Sequence, residues 1–465
     1  MAVSSKLAGL VLLSSGLLLR ASLPGQTRPE VEYGTYIGGS AKDGGTSLAV
    51  DASGNVWVAG QTPSPDFPVT PGAFKTRTTV NNNDSVGFVT RLSAAGDRFV
   101  YSTFVGGSFR STANGVAVDS AGNAVVVGST CSVDFPVTQN AIQRNFAGGL
   151  HGLEPCDGYV VKLDASGSHA AYATYFGGSD ADTVNAVAIN DQGEAVVAGW
   201  TRSQDLFGTT PHGQSDGFIA LLGAKGKLQW IQRFGGSGAD WFSSIAIGPD
   251  GTIWAAGTSD SEDLPCSGHV TSRPYGFVVA WKAGRELGCV RFAGEPAALS
   301  LDHIGHVYVA GTVREANRPT GFAVKLDGSR IEWYRRVGGS DETKISGISA
   351  GLPGSVLLCG SSYSRDFPVT AGAMAQHPRG ESDMVLLRLS GSDGRILYGT
   401  FLGGNVAPGI AWMNNTAVAV QADPAGNVWI AGNAIGHPKW ISPNSAQPQS
   451  HGNTDVFLLK LKVRD

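Results

Sequence analysis

The stretch TFVGGSFRSTANGVAVDSAGNAVVVGSTCSVDFPVT, residues 103–138, decides the fold. It holds, in order, a Gly-Gly-Ser element, an alternating apolar run from Gly115 to Asp119, and a turn of the form Asp-x-x-Gly-Asn around Gly122. A second run from Ala124 to Gly128 and an Asp-Phe-Pro-Val-Thr loop complete it. Alternation with period two suits strands. Glycine accepts positive φ and an aspartate side chain can bond nearby amides, so the two runs read as a hairpin.

Outward from this stretch the same order recurs. Gly-Gly-Ser stands at 38–40, 106–108, 177–179, 235–237 and 338–340, with degenerate forms at Ala293-Gly294-Glu295 and Gly403-Gly404-Asn405. The turn glycines are Gly54, Gly122, Gly193, Gly251, Gly305, Gly354 and Gly426. A third signature is a strand typified by Gly87-Phe88-Val89, Gly158-Tyr159-Val160 and Val456-Phe457-Leu458. It also occurs seven times, and six copies lead through a short turn into a further strand such as Tyr101 to Val105. Seven copies of a four-stranded unit predict an all-β chain folded as a seven-bladed β-propeller. The seventh copy reaches Asp465 without its last strand, while Tyr33 to Ile37 is an extra strand ahead of the first copy. The N-terminal strand is therefore expected to complete the last blade and close the ring, removing exposed edges.

Composition sets bounds on function. The 465 residues include 65 glycines and are 42% hydrophobic, enough apolar material for a large core. Residues 1–25 read as a signal peptide: Lys6 precedes an apolar run from Leu7 to Leu19 and a small-residue stretch at Ala21 and Ser22. Residues 26–465 then form one propeller domain, expected to be a monomer that is secreted or held in the periplasm or at the cell surface. Nothing after Arg20 is long and apolar enough to span a membrane as a helix. Removal of Lys6 and Arg20 takes the formal charge from -4 to -6. A mildly acidic surface argues against nucleic-acid and anionic-membrane partners, which reward clustered Lys and Arg. Of five cysteines, Cys131 and Cys156 flank one long loop and are placed for a disulfide. Cys266 and Cys289 are a weaker pair, and Cys359, within an apolar run, reads as a buried small side chain.

These units resemble the SBBP family of bacterial and archaeal β-propeller repeats, whose pattern joins a Tyr-x-Gly-Gly-Ser entry, an Ala-Val-Asp-x-x-Gly-Asn hairpin and an Asp-Phe-Pro-x-Thr loop. The match is closest in Tyr36 to Thr70, Thr103 to Thr138 and Arg336 to Thr370. The fifth unit departs most: Glu295 lies only seven residues before Asp302, and the Asp-Phe-Pro loop is absent. The resemblance implies the propeller fold and a secreted or cell-surface setting; it brings no shared catalytic residues.

Alternating strand direction puts the Gly-Gly-Ser loop and the long, variable second-to-third-strand loop on one face, where a rigid scaffold presents binding groups. On that rim Asp43, Asp182 and Asp240 stand three residues after the serine, with Ser111 and Thr343 at the equivalent places. Such oxygens can hold a calcium ion or bond a sugar, although aspartate after Gly-Ser also commonly satisfies turn amides. No cofactor is otherwise called for. Trp241, Trp412 and Trp440 offer flat apolar surfaces for sugar rings, with packing between blades as the alternative. The loops beginning at Asp66, Asp134, Asp205, Asp263 and Asp366 read as structural, because repetition argues against a unique site. Gly213-Gln214-Ser215-Asp216-Gly217 has the letters of a nucleophile elbow, but a strand is expected where that chemistry needs a helix. His303 and His306 belong to no zinc-type cluster. The leading expectation is a non-catalytic module binding a carbohydrate or surface protein. A propeller-based hydrolase or lyase and a structural envelope component are the alternatives.

Overall fold

The computed structural model describes residues 29–80, 84–148, 155–315, 318–402, 416–434, 440–452 and 454–463. Within them lie seven four-stranded antiparallel sheets and a single 3-10 turn, Leu206–Gly208. Six sheets are built from consecutive strands. In blade 3, for example, Asp182–Ile189, Ala195–Thr201, Asp216–Leu222 and Leu228–Phe234 run from the axis outward. The seventh joins Thr416–Ala422, Asn427–Ala434 and Asp455–Lys462 to Glu30–Ile37, which pairs antiparallel from Glu30↔Lys462 to Ile37↔Val456. The closure expected from the sequence is thus present, and the segment 1–25, expected to be a leader, lies outside the described residues.

All seven turn glycines have positive φ, from 63° at Gly354 to 93° at Gly305. In the first hairpin Asp51 Oδ1 accepts the Ser53 and Asn55 amides, and the Asn55 side chain donates to Oδ2. This is the local reason for the Asp-x-x-Gly-Asn signature: glycine supplies the backbone conformation, while the two polar side chains hold the turn.

Each innermost strand carries one β-bulge, in blade order at Thr46, Asn114, Asn185, Ser243, Ala297, Ser346 and Val418. The bulged residues face a central channel of about 240 Å3. Five are polar, and each donates to a backbone carbonyl of the next blade: Thr46 to Ala113, Asn114 to Val184, Asn185 to Phe242, Ser243 to Pro296 and Ser346 to Ala417. Ser300 Oγ, accepting the Ala350 amide, and Asn433 Oδ1, accepting the Gly45 amide, serve the two junctions where the bulge is apolar. A bulge leaves ladder groups unpaired. Here it also turns a side chain toward the neighbouring blade.

Between blades the sheets pack face to face through fully buried residues. Ile37, Val56, Val58, Phe88, Val456 and Leu458 form the seam where blade 7 meets blade 1. Large aromatics such as Trp57, Trp281 and Trp429 fill the interior, each burial contributing on the order of 2 kcal/mol or more. Cys131 and Cys156 form the expected disulfide, Cys266 and Cys289 form a second, and Cys359 is a buried free thiol.

Ile37 is wholly buried in the closing seam. Ile37→Asp is expected to cost about 3–5 kcal/mol, the scale for an uncompensated buried charge, and to lower the denaturant midpoint accordingly. A midpoint unchanged from the parent would show that this strand is not part of the seventh blade.

Candidate functional site

The Gly-Gly-Ser and Asp-Phe-Pro signatures prove to be two halves of one lock. In five blades the serine amide and hydroxyl both donate to an aspartate 26 residues later: Ser40 to Asp66, Ser108 to Asp134, Ser179 to Asp205, Ser237 to Asp263 and Ser340 to Asp366. The residue after the aspartate is buried, as Phe67, Phe135, Leu206, Leu264 or Phe367. The second glycine must be glycine, because a Cβ on Gly178 or Gly339 would lie 2.4 or 2.3 Å from the locking carboxylate oxygen.

Asp43, Asp182 and Asp240, expected on an open rim, are at most 1% exposed. Asp182 Oδ2 accepts the Gly178 amide at 2.6 Å and the Ser203 hydroxyl at 2.7 Å; Asp43 and Asp240 repeat this with Gly39 and Ser64, and with Gly236 and Ser261. They stand in three different blade junctions, so they do not converge on one ion. Of the two readings of these aspartates, the contacts are those of the structural one: each carboxylate accepts a turn amide of its own loop and a serine hydroxyl from the second-to-third-strand loop.

Each of these acids meets a second one from the blade before. The pairs are Asp455 with Asp43, Asp157 with Asp182 and Asp216 with Asp240, flanking Gly38, Gly177 and Gly235. At Gly177 a Cβ would lie 2.8 Å from an oxygen of both partners. Where the third strand begins instead with Val86, or has Thr320 in that row, the next blade carries Ser111 or Thr343. Acids thus occur together at three junctions; Asp383 holds the same row in blade 6, and its counterpart in blade 7 lies outside the described residues. Burial, reinforced by Asp182, pushes the Asp157 carboxyl up to about 7; burial raises Asp182 to about 6 against its hydrogen bonds and Arg233.

Among the described residues an opening lies between blades 3 and 4. A cleft of about 400 Å3 is lined by Asn185, Trp200, Arg202, Ser215, Ala239 and Trp241. Trp200 comes from the top of the second strand of blade 3, Arg202 from just past its end, and Trp241 from the top of the innermost strand of blade 4. Ala239 and Ser215 form a bridge beside them. Val196 and Ala198 of the Trp200 strand pack on Phe242 and Ile245, so alternation turns Trp200 toward blade 4. Both tryptophans are half-buried. The Arg202 guanidinium is exposed and lies 5.7 Å from the Trp200 ring centroid. Asn185 belongs to both cleft and channel, its amide donating to the Phe242 carbonyl at 2.8 Å.

Register makes the two tryptophans stand out. In the Trp200 row the other blades carry Gln61, Ser129, Thr258, Thr312, Ser361 and Asn433; in the Trp241 row they carry Gly44, Thr112, Thr183, Glu295, Lys344 and Thr416. The scaffold does not require tryptophan in either row. Reading the copies in columns would have found Trp200, which motif reading passed over.

Trp241 is the expected aromatic that the structure brings to the cleft. Trp440 is partly buried against the blade 7 core, where its carbonyl covers Gly34 of the outermost strand. Trp412 lies outside the described residues. Ser215 lines the cleft, but the segment from Gly213 enters the strand Asp216–Leu222 directly, so it lacks the helix of a nucleophile elbow. Asp216 instead accepts the His212 amide and is bridged by the buried Arg233.

Residues 32–68 match the SBBP "Beta-propeller repeat". A curated relative, "Regulatory protein FlaEY" of Caulobacter vibrioides, is 30% identical over 158 residues; the matched stretch is 31% of this chain and only 15% of that protein. Among solved structures, the Neurospora crassa Pan2 WD40 domain aligns over 93% of this chain and 97% of its own at 9% identity, with a TM-score of 0.46. "YCF48 bound to D1 peptide" aligns over 94% and 98% at 10% identity and 0.43. The Pyrococcus horikoshii acylaminoacyl peptidase aligns over 91% and 53% at 8% identity, also at 0.43.

The acid pairs set a pH dependence. A carboxyl raised in the fold imposes no penalty below its unfolded pKa of about 3.9; the penalty grows as pH rises and levels off above the folded pKa. For Asp157 alone, stability on the order of 4 kcal/mol is expected to be lost between about pH 4 and pH 7. Asp157→Asn should flatten the unfolding-temperature profile across that window relative to the parent and raise it at pH 8. Identical profiles would mean that the pair does not hold a proton in the fold.

Proposed function

We propose that this chain, a seven-bladed propeller carrying an SBBP-type repeat, is an exported binding module whose cleft between blades 3 and 4 takes a sugar ring. The observation that carries this reading is the pair of tryptophans at one junction, in rows where the other blades have none. A side chain the scaffold needs recurs from copy to copy. One that appears once, half-buried on the variable-loop face, serves something outside the scaffold.

Aromatic faces suit pyranose rings, whose C–H groups make an apolar surface while their hydroxyls need hydrogen-bonding partners at the edge. The cleft supplies that combination: Trp200 and Trp241 as flat walls, with Asn185 and Ser215 as polar groups. It spans two blades held in register by the Asn185 bond to Phe242, so the walls are preorganised and little ordering opposes binding. Export is supported by the apolar leader-like segment at Leu7 to Leu19 and by two disulfides, which persist in oxidising compartments.

A panel of soluble oligosaccharides tested by thermal unfolding is expected to include a ligand that raises the unfolding temperature saturably. Trp200→Ala and Trp241→Ala should each weaken that ligand by about thirtyfold or more while leaving the ligand-free unfolding temperature near the parent's. Retained affinity in both variants would move the site away from this cleft.

A further inference from the structure

Arg202 is the charged residue of the cleft lining. Among the described residues no carboxylate lies within ion-pair distance of it, whereas Arg233 nearby is buried, bridges Asp216 at 3.2 Å and donates to the Ser203 carbonyl. Arg233 is occupied by the fold. Arg202 is exposed, and its guanidinium lies 5.7 Å from the Trp200 ring centroid, within cation–π range and at the edge of the cleft. Asn185 commits its amide donor to Phe242, which leaves its oxygen as an acceptor for a hydroxyl. The cleft therefore offers two flat walls, a hydroxyl-sized acceptor and one cation with no anion of its own.

We infer that the ligand is an acidic pyranose, a uronic-acid residue that stacks on Trp200 and Trp241 and places its carboxylate on the guanidinium of Arg202. This rests on the reading of the cleft as a sugar site and adds the ligand's charge. A planar guanidinium matches a carboxylate through two parallel hydrogen bonds. A sulfated polymer is disfavoured because its charge density calls for several cations, and the cleft provides one in a chain of net charge -4. The overall acidity of the chain also means that an acidic sugar is not gathered by the surface at large; its recognition depends on this one group.

The test is calorimetric titration of the full chain with trisaccharides of galacturonic acid, glucuronic acid, neutral galactose and sulfated galactose. A uronate trimer should bind about tenfold or more tightly than its neutral counterpart, with affinity falling as salt is raised. Arg202→Gln should bring the ratio of uronate to neutral affinity down to about one, with the ligand-free unfolding temperature near the parent's. Equal binding of uronate and neutral sugar, or an unchanged ratio in Arg202→Gln, would overturn the anion inference and leave the sugar cleft standing. Tighter binding of the sulfated trimer would overturn the carboxylate assignment. No heat and no change in tryptophan fluorescence with any of the four would overturn both readings.

Discussion

The strand Glu30–Ile37 belongs to a sheet whose other three strands lie beyond residue 415, and the integrity of every blade depends on that pairing. A propeller sheet buries its faces only against its two neighbours, so an incomplete blade exposes apolar surface on both sides as well as an unpaired edge. Ring closure here combines main-chain pairing to Asp455–Lys462, the Ile37 and Val456 seam with blade 1, and the bond from Gly45 to Asn433. Five polar bulges, with Ser300 and Asn433 at the other two junctions, then tie blade to blade around the axis. Rigidity near the channel is a property of the ring as a whole.

Against that rigidity, the upper loops divide into two kinds of chemistry. Serine–aspartate locks and buried aspartates repeat from blade to blade and hold each loop to its own sheet. They consume the oxygens that the face would otherwise display. What is left to face solvent is what does not repeat, and at the junction of blades 3 and 4 that remainder is two tryptophans and an arginine. The scaffold and the site are thus distinguished by periodicity within a single chain.

Most of the fold was legible because its determinants are local and recur. Gly54 and its six counterparts mark hairpins through short-range φ requirements, and the extra strand at Tyr33 to Ile37 matched the missing one by count. Cys131 and Cys156 followed from their flanking of one loop. The site was less legible. Asp182 was placed on the correct loop, but its burial depends on the Ser203 hydroxyl and the Gly178 amide closing over it, and on Asp157 from another blade. The Gly178 and Ser203 contacts recur at the same spacings in two other blades, but spacing alone does not show that these donors close over the carboxylate, and Asp157 comes from a different blade. Trp241 reached the cleft as expected, Trp200 was missed because it sits inside an ordinary strand, and Trp440 went to an outer edge that loop position alone does not reveal.

The seventh blade unites residues separated by more than 400 positions, as in the bond from Gly34 to Ser442. During synthesis, six blades can stack while that strand still lacks its partner, so the last step of folding is the capture of a segment made near the start. Loop-closure entropy grows only logarithmically with the intervening length, which keeps the thermodynamic cost modest; the delay is kinetic. Until capture, the waiting strand Glu30–Ile37 and the open edge of Asp455–Lys462 can pair with the corresponding segments of another chain. Domain-swapped rings, in which each molecule lends its first strand to a neighbour, are therefore the misassembly to which this topology is most exposed.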